Sequence, residues 1–549
     1  MTENEREKKI VSRLDLTLWD KVFQASAGYR GTALTFGPLS ISYPKLKRKI
    51  VEMAERLHGY GIKSGDVVCL CSPNIPQAIY ALYALNMIGA ICFIVHPLFP
   101  PHTLDEDLRR AKAKLLIVID QRYNFYRDHV KCCPIRTISA ADDFPRIVTP
   151  FYDLIYRRQL RGTSPELRVT HLERKELEEV NRDAFKPSIY LESGGTTGRS
   201  KIVVINDSAA GYPAIYARYI LEVAPGGVAG HAMLGALPMF HGYGLSMGVN
   251  APLVWNATSA LMISYDIKRI CRLARRDRLH YLLVIPYAAR KLLSYRGFKG
   301  RALRCLSHAF IGADKPPLPL FQEWETRMRE YGSDCALLEG YGLTETVNVI
   351  CVNRKSEKRY GSVGKPLPGT YIRVVDRTGH PLPAGAEGEI QISSPALMIG
   401  YLDDEKTTRE ALFIDEEGRK WLRTGDLGWI DQDGYVYFKD RLKNLFKIAG
   451  HNVFPDDIEH LVSEDSRVVA AAAIPVPDDR HPYIHLYLEL KPGVDPNLVK
   501  SELQQKMADN LIKYEIPQRI EILEALPRTP LKKIDRRVLA QRAEQSRKR

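Results

Sequence analysis

Apolar and polar positions along the chain change rhythm twice. Between about residues 39 and 120, stretches with apolar residues at helical spacing alternate with short β-branched runs. Residues 45–58 predict a helix and Val67–Cys71 a strand. Residues 77–87 predict a second helix, turned at Gly89 into the strand Ile91–Val95, which Pro97 stops. Another pair follows, a helix over 104–113 and a strand over Leu115–Ile119. Strands alternating with helices at this spacing predict an α/β unit with a mostly parallel sheet. The alternation returns between residues 187 and 311, for instance at 283–285 and 309–311. Residues 122–186 are charged and aperiodic, and 157–172 read as a surface excursion. From 363 to 438 the signal becomes short strands with Gly/Pro turns, at Tyr371–Val375, 388–392 and 434–438, which predicts a small, mostly β, barrel-like subdomain. After Asp440 the pattern becomes a compact mixed α+β unit ending near Arg537, so the major boundary is placed at 440.

Composition narrows the class. The chain has 549 residues, 45% hydrophobic and 26% charged, which excludes collagen-like, mucin-like and wholly disordered chains. Such a length can bury a large core without disulfides or structural metals. The longest apolar stretch, residues 79–95, is interrupted by Asn86 and Gly89. It reads as helix, turn and strand rather than as a transmembrane segment. The first residues are charged and lack a signal-peptide core. The nine cysteines are irregularly spaced; Cys69 and Cys71 are expected on one side of a buried strand. His129 with Cys132 and Cys133 lacks a second half at metal-ligand spacing. Reduced thiols point to a cytoplasmic setting. With 79 Lys+Arg against 65 Asp+Glu, the formal charge is +14. That permits nucleic acid, anionic membrane or polyphosphorylated small molecules as partners. The short runs at 47–49, 157–158 and 275–276 read as scattered, and a nucleic-acid role would rest on net charge alone.

Five motifs carry candidate chemistry. Ser193, Gly194, Gly195, Thr196, Thr197, Gly198, Arg199, Ser200 and Lys201 form a Gly/hydroxyl loop between the strand-like Ile189 to Leu191 and Ile202 to Val204. Its backbone N–H groups could approach phosphate oxygens, while Lys201 and Arg199 supply charge; its spacing is not that of a Walker P-loop. Gly340, Tyr341, Gly342, Leu343, Thr344 and Glu345 offer a ring free to stack on a heterocycle, then a hydroxyl and a carboxylate suited to phosphate and a hard cation. Thr424, Gly425 and Asp426 form a turn that could aim a carboxylate at ribose, although alone it reads better as an ordinary β-turn. A charge-dense stretch runs from Asp440 to Gly450, and a basic loop from Leu526 to Arg536.

In this order and over this span, from about Leu16 to Arg537, the five motifs resemble the adenylate-forming superfamily. It includes acyl- and aryl-CoA synthetases, adenylation domains of peptide synthetases and firefly luciferase. The resemblance implies a large N-terminal domain over 1–439, with two α/β subdomains and the small β subdomain. A hinge at 440–443 and a small mobile α+β C-terminal domain over 444–549 would follow. It implies that the loop from Ser193 to Lys201 holds the β- and γ-phosphates of ATP, that Tyr341 stacks on adenine beside Gly342, and that Gly312 and Ala313 line the other side. Thr344 would contact the α-phosphate, Glu345 would hold Mg²⁺, and Asp426 and Arg441 would bind the ribose. Lys533 would bridge the substrate carboxylate and the α-phosphate; independently, one anion attacking another needs a cation near both. Lys443 matches the hinge and Lys447 a lysine serving the second half-reaction, with Gly450 and His451 beside the incoming pantetheine. The sequence departs from the pattern at Lys532, Ser200 and Asp314. Lys532 raises a question of register, in which the Lys-Ile-Asp spacing favours Lys533.

For the acid, the stretch with His241, Tyr243, Gly244 and Leu245 lacks the Asp that would pair an α-ammonium, which argues against an amino acid. His241 and Tyr243 would form the pocket wall, and Val347, Asn348, Val349 and Ile350 would add an apolar side suited to a fatty or aryl acid. No phosphopantetheine-carrier pattern follows Arg537, so the acceptor thiol is expected from outside the chain. CoA leads, with an acidic acyl carrier protein as the alternative. A non-catalytic relative would be expected to have lost Glu345, Lys533 or the Gly-rich loop, and all are present.

Overall fold

The computed structural model describes residues 13–144, 183–193, 201–224, 226–276, 279–442, 446–448, 451–453, 455–477, 482–511, 513–529 and 533–547. Two large sheets form its frame. A seven-stranded sheet runs in the order Gly400–Tyr401, Lys201–Asn206, Pro187–Ser193, Ile91–Val95, Val67–Cys71, Leu115–Ile119, Ile135–Ile138. It is parallel from Pro187–Ser193 onward and closed at the other edge by antiparallel pairs. A nine-stranded sheet has six parallel strands at its centre, from Ala336–Gly342 through His308–Ile311, Leu279–Val284, Ala232–Gly235 and Thr258–Leu261 to Thr32–Phe36. The expected mostly parallel α/β subdomains are therefore both present.

Side-chain alternation assigns each face. Val68 and Leu70 enter one core with Leu34, Leu283 and Leu338 of the other sheet, so this core lies between the two sheets. Cys69 and Cys71 face the opposite layer, beneath the helix Pro101–Arg110, as the spacing predicts. The helix Pro76–Ile88 is buried along nearly its whole length in the shared core, and Gly89 at φ 81° ends it in the left-handed conformation. Leu282, Val284, Ala309 and Leu337 point outward, where the helices Ile267–Arg276, Pro286–Ser294 and Leu318–Glu330 cover them.

The remaining strands form a five-stranded antiparallel sheet and a three-stranded sheet. The former contains Tyr371–Val375, Gly388–Ser393, Leu412–Ile414, Lys420–Ile430 and Val436–Arg441. The latter, Val468–Val476, Tyr483–Leu490 and Arg519–Leu523, has its own buried clusters with the helices Pro455–Ser463, Pro496–Asn510 and Arg536–Arg547. Among the described residues no helix is long and apolar enough to cross a membrane, and no group of three His, Cys, Asp or Glu could hold a metal.

Local expectations shift at three places. The helix expected over 104–113 is Pro101–Arg110: Pro101 sits at its start, where no N–H is needed, and Lys112 at φ 50° follows its end. The strand expected over 434–438 begins at Val436, because Gly434 at φ 82° still belongs to the turn. The aperiodic segment contains a helical turn, Tyr123–Tyr126, and a parallel edge strand, Ile135–Ile138, too short to show a period. The proposed excursion at 157–172 lies outside the described residues.

One buried cation ties the N-terminal helix Leu18–Ala25 to this frame. Lys21 is fully buried; its Nζ donates to the carbonyls of Leu14 (3.4 Å), Asp207 (3.0 Å) and Leu16. Burial pulls its ammonium down to about 8, opposed by the Asp207 carboxylate. Gly211 leaves room for it, since a Cβ there would lie 2.4 Å from Lys21 Cε. Asn86 Nδ2 donates to both Asp207 oxygens, at 2.7 and 2.8 Å. Lys21→Met is expected to destabilise the protein by roughly 3 kcal/mol, because it leaves a buried carboxylate without its cation. A urea midpoint that does not move would show that Asp207 needs no counter-charge.

Candidate active site

The C-terminal ends of the parallel strands open onto a cleft of about 1820 Å³, bounded by the antiparallel sheet on one side and the C-terminal unit on the other. Gly312 and Ala313 leave the strand His308–Ile311 at its floor, and Tyr341 and Gly342 end Ala336–Gly342 beside them. Tyr341 is pinned at its far end: its hydroxyl donates to Asp426 Oδ2 at 2.6 Å, and its ring stacks on Phe438 with centroids 5.9 Å apart. Asp426 pairs in register with Arg441 on the neighbouring strand, and its Oδ1 lies 3.2 Å from Arg441 Nε. Burial raises the Asp426 carboxyl to about 6 against the pull of Arg441, which favours its ionised form. In place of the expected turn, residues 424–426 form a bulge inside the strand Lys420–Ile430, where its register with Gly388–Ser393 shifts. Gly425 has φ 66°, the Thr424 hydroxyl donates to the Ile390 carbonyl at 2.6 Å, and the Asp426 N–H returns to that hydroxyl at 3.0 Å.

Thr344 also lines the cleft, whereas Glu345 and Lys201 stand beside it, joined through one ring. The Tyr401 hydroxyl donates to Glu345 Oε1 at 2.9 Å, and Lys201 Nζ lies 4.7 Å from the centre of the same ring. Among the described residues only one Glu345 oxygen is engaged, and a carboxylate with an oxygen to spare fits Mg²⁺. Ser193, on the lining, donates to the Lys201 carbonyl at 3.4 Å across the hairpin. Gly194, Gly195, Thr196, Thr197 and Gly198 lie outside the described residues.

The expected acid end is closely packed. His241, Tyr243, Val347 and Asn348 line it together with Met247, Phe310 and Val349. Tyr243 donates its hydroxyl to the Phe310 carbonyl at 2.9 Å, and its N–H to His241 Nδ1 at 3.2 Å. Burial, reinforced by Lys533, lowers His241 to about 4. The neutral ring accepts at Nδ1 and so carries its proton on Nε2. Gly244 and Leu245 are not on the lining: Gly244 lies against the Pro238 and Leu237 carbonyls and Leu245 is fully buried in the core, at the start of the π-helical segment Gly244–Asn250. Ile350 is likewise buried away from it. The segment 346–348 is threaded between two backbones. A Cβ on Gly242 would lie 1.5 Å from the Val347 oxygen, and one on Gly342 would lie 1.7 Å from that of Asn348. Val347 itself has φ 62° and Ala313 φ 75°, two non-glycine residues held in the left-handed region at one cleft.

The C-terminal unit closes the far wall with a row of cations. Lys533 lines the cleft and acts electrostatically on both His241 and Asp314. The Thr529 N–H donates to the Lys533 carbonyl at 2.7 Å, and a bridge pairs Arg528 with Ile534. Asp314, exposed to the cleft yet surrounded by protein, has its carboxyl raised by that desolvation. Arg528 pairs with Glu489 at 3.1 Å and lies 4.6 Å from the centre of the Tyr287 ring. Arg290, on the helix Pro286–Ser294, donates to the carbonyls of Val468 (3.1 Å) and Val469. Arg536 joins Glu459 (2.7 Å) and Asp456 (3.4 Å). Lys443, Gly450 and Lys532 lie outside the described residues. For Lys447 and His451 only the backbone is described, in the hairpin that pairs Phe446–Ile448 with His451–Val453.

Several wall residues had no motif to mark them. Phe438 comes from a strand whose sequence shows only alternation, and Arg290 and Tyr287 from an ordinary amphipathic helix; Tyr401, beside the cleft, belongs to the two-residue strand Gly400–Tyr401. Glu192 and Glu339 also line the cleft; burial raises each to about 8, Asp107 adding to the shift at Glu192 and Lys315 opposing it at Glu339. Both are largely protonated at neutral pH and so do not repel a polyanion.

A parallel α/β frame with a mixed C-terminal unit over a cleft of this make-up is the architecture of the adenylate-forming enzymes. The chain belongs to the AMP-binding enzyme family: the model for AMP-binding enzymes matches residues 23–402, and that for the AMP-binding enzyme C-terminal domain matches 457–533. It is 28% identical over 518 residues to a probable CoA ligase, CCL5, of Humulus lupulus, covering 91% of this chain and 87% of that protein. It is 27% identical over 532 residues to a long-chain-fatty-acid–CoA ligase of Salmonella typhimurium, covering 92% and 90%. The fold matches ATP-bound MatB from Rhodopseudomonas palustris with a TM-score of 0.82 at 22% identity, covering 96% of this chain and 99% of that one.

Gly242→Ala is expected to cost about 1–3 kcal/mol by overpacking against the Val347 carbonyl. Gly59→Ala, where an added Cβ meets nothing within 4 Å, serves as control. Equal urea midpoints for the two variants would refute the close threading of 346–348.

Proposed function

We propose that this protein is an ATP-dependent acid–CoA ligase that activates a fatty or aryl carboxylate as its acyl-adenylate and passes the acyl group to the CoA thiol. The observation that carries the reading is the meeting, in one cleft, of Tyr341, Asp426 and Arg441 with Lys533 and a neutral His241. Membership of the AMP-binding family and the CoA ligases among its relatives support it. The acid end offers Tyr243, Met247, Phe310, Val347 and Val349, an apolar wall that favours a hydrophobic acid. No carboxylate stands in the stretch from His241 to Leu245 to pair an α-ammonium.

In the first half-reaction a carboxylate oxygen attacks the α-phosphorus of ATP and the bond to the β-phosphate breaks, so pyrophosphate leaves with the electron pair. Tyr341 would face the adenine, with Gly342, Gly312 and Ala313 around it. Asp426 and Arg441 would take the ribose, and the loop from Ser193 to Lys201 the outer phosphates. The Nε2–H of His241 is a donor suited to orienting the carboxylate. Thr344 would hold the α-phosphate, while Lys533 would lie between the two anions and stabilise the charge that develops. Glu345 would hold Mg²⁺, whose charge offsets that of the phosphates. In the second half-reaction, after rotation of the unit 444–549 about 440–443, the CoA sulfur loses its proton, attacks the acyl carbonyl and expels AMP. Lys447, Gly450 and His451 would then lie on the thiol side, with Lys443 at the hinge. Arg290 and Arg528 hold the C-terminal unit in the orientation that keeps Lys533 in the cleft.

The direct test is carboxylate-dependent pyrophosphate release across fatty, aryl and amino acids, with and without CoA. Release with a fatty or aryl acid, multiplied by CoA, is the expected result. A single turnover that CoA does not extend would shift the acceptor to an acyl carrier protein, and release with amino acids alone would overturn the substrate class. Lys533→Ala is expected to lower acyl-AMP formation by roughly 10²–10³-fold. Lys447→Ala should instead slow thioester formation from supplied acyl-AMP; if Lys532→Ala gives the first phenotype, the register is off by one. Arg290→Ala should depress adenylation while sparing thioester formation, and equal losses in both would reduce Arg290 to a structural role.

A further inference from the structure

The charge of +14 is concentrated. Residues 263–305 contain twelve Lys and Arg against two Asp, so less than a tenth of the chain holds ten of the fourteen net charges. Tertiary structure gathers much of this on one face. The helix Ile267–Arg276 buries Ile270, Cys271 and Ala274 against the outer side of the nine-stranded sheet and leaves Lys268, Arg269, Arg272 and Arg275 exposed. Arg275 Nη2 donates to the Gly297 carbonyl at 3.2 Å, which brings the exposed Arg296 and Lys299 beside the helix. The short helix Arg301–Arg304 packs on it and adds the exposed Arg304. Among the described residues of this face the carboxylate present is Asp266, 3.9 Å from Arg269 Nε. On the neighbouring helix Leu318–Glu330, Glu325 is paired with Lys358, and Glu330 with Arg327 at 3.3 Å.

We propose that this face docks the protein on an anionic membrane surface. A helix whose solvent side is all cationic, next to Ile263 at 46% exposure, has the composition of an interfacial contact. Phe298 is buried, and among the described residues the face has no fully exposed ring on which unpaired bases could stack, which disfavours single-stranded nucleic acid. The adjoining helix Pro286–Ser294 lines the cleft through Tyr287 and Leu293, so docking would bring the cleft rim to a phase in which apolar acids dissolve. That last point rests on the substrate proposed above, whereas the charge and exposure do not.

The test is sedimentation of the purified full chain with phosphatidylcholine vesicles, with and without phosphatidylglycerol, over a range of NaCl concentrations. Binding to the mixed vesicles alone, falling steeply with salt, is expected. The combined variant Arg269→Glu, Arg272→Glu, Arg275→Glu should lose at least roughly a hundredfold in partitioning, since each cation near such a surface is worth roughly fivefold. Its pyrophosphate release with a water-soluble acid should be unchanged, which also shows that it is folded. Absence of binding to mixed vesicles, equal binding to neutral ones, undiminished binding by a folded variant, or preference for RNA or an acidic carrier protein over the vesicles would each overturn the proposal. Because the readout is binding, its failure leaves the ligase reading intact.

Discussion

A single hydrogen bond, from the Tyr341 hydroxyl to Asp426 at 2.6 Å, joins the end of a parallel strand to the antiparallel sheet. Much of the cleft depends on it. It sets the tilt of the ring that Phe438 backs, and it takes up one oxygen of a carboxylate whose other oxygen faces Arg441. Arg441 stands opposite Asp426 in the ladder, next to the bulge at Gly425 inside the strand Lys420–Ile430. The strand that ends in Arg441 is also where the chain leaves for the C-terminal unit, so nucleotide recognition and domain orientation share one covalent path in the proposed reaction.

Around that junction the backbone is placed with little slack. Val347 and Ala313 occupy left-handed conformations that side chains disfavour, and Gly242 and Gly342 give up side chains so that the segment between them can pass. Packing strong enough to hold a β-branched residue there leaves the acid-side wall a rigid shape. The seam with the C-terminal unit differs. Arg290 reaches backbone carbonyls and Arg528 a tyrosine face, polar contacts that release more readily than an apolar core. In the proposed reaction the rigid wall would suit discrimination among acids, and the polar seam a unit that turns between the two half-reactions.

The strands were legible in the sequence where they lie buried on both faces. Val67–Cys71, Ile91–Val95 and Leu115–Ile119 are continuous apolar runs, and the structure contains them with the predicted bounds. Ile135–Ile138 was not legible, because four residues at a sheet edge carry too little period. Motifs rich in glycine and charge marked Tyr341, Asp426, Arg441 and Lys533, since such residues break the apolar rhythm. Phe438 keeps that rhythm and stayed hidden, and Tyr401 sits in a two-residue strand too short to show one. Gly244 and Leu245 shared a motif with His241 and Tyr243, yet the helical rotation after His241 turns them into the core.

The sequence by itself determined the fold class, the order of elements and the inventory of groups near the chemistry, because each rests on local periodicity or on residue types with few alternative uses. It also held the positive charge of residues 263–305, although short runs read singly looked scattered. Only the tertiary structure decided which of these groups meet. Tyr341 and Asp426 are 85 positions apart, Arg290 and Val468 178, and no local pattern encodes a contact across such a separation. It also decided charge state. Burial makes His241 neutral and largely protonates Glu192 and Glu339, and burial is a property of the packed molecule rather than of any residue in the chain.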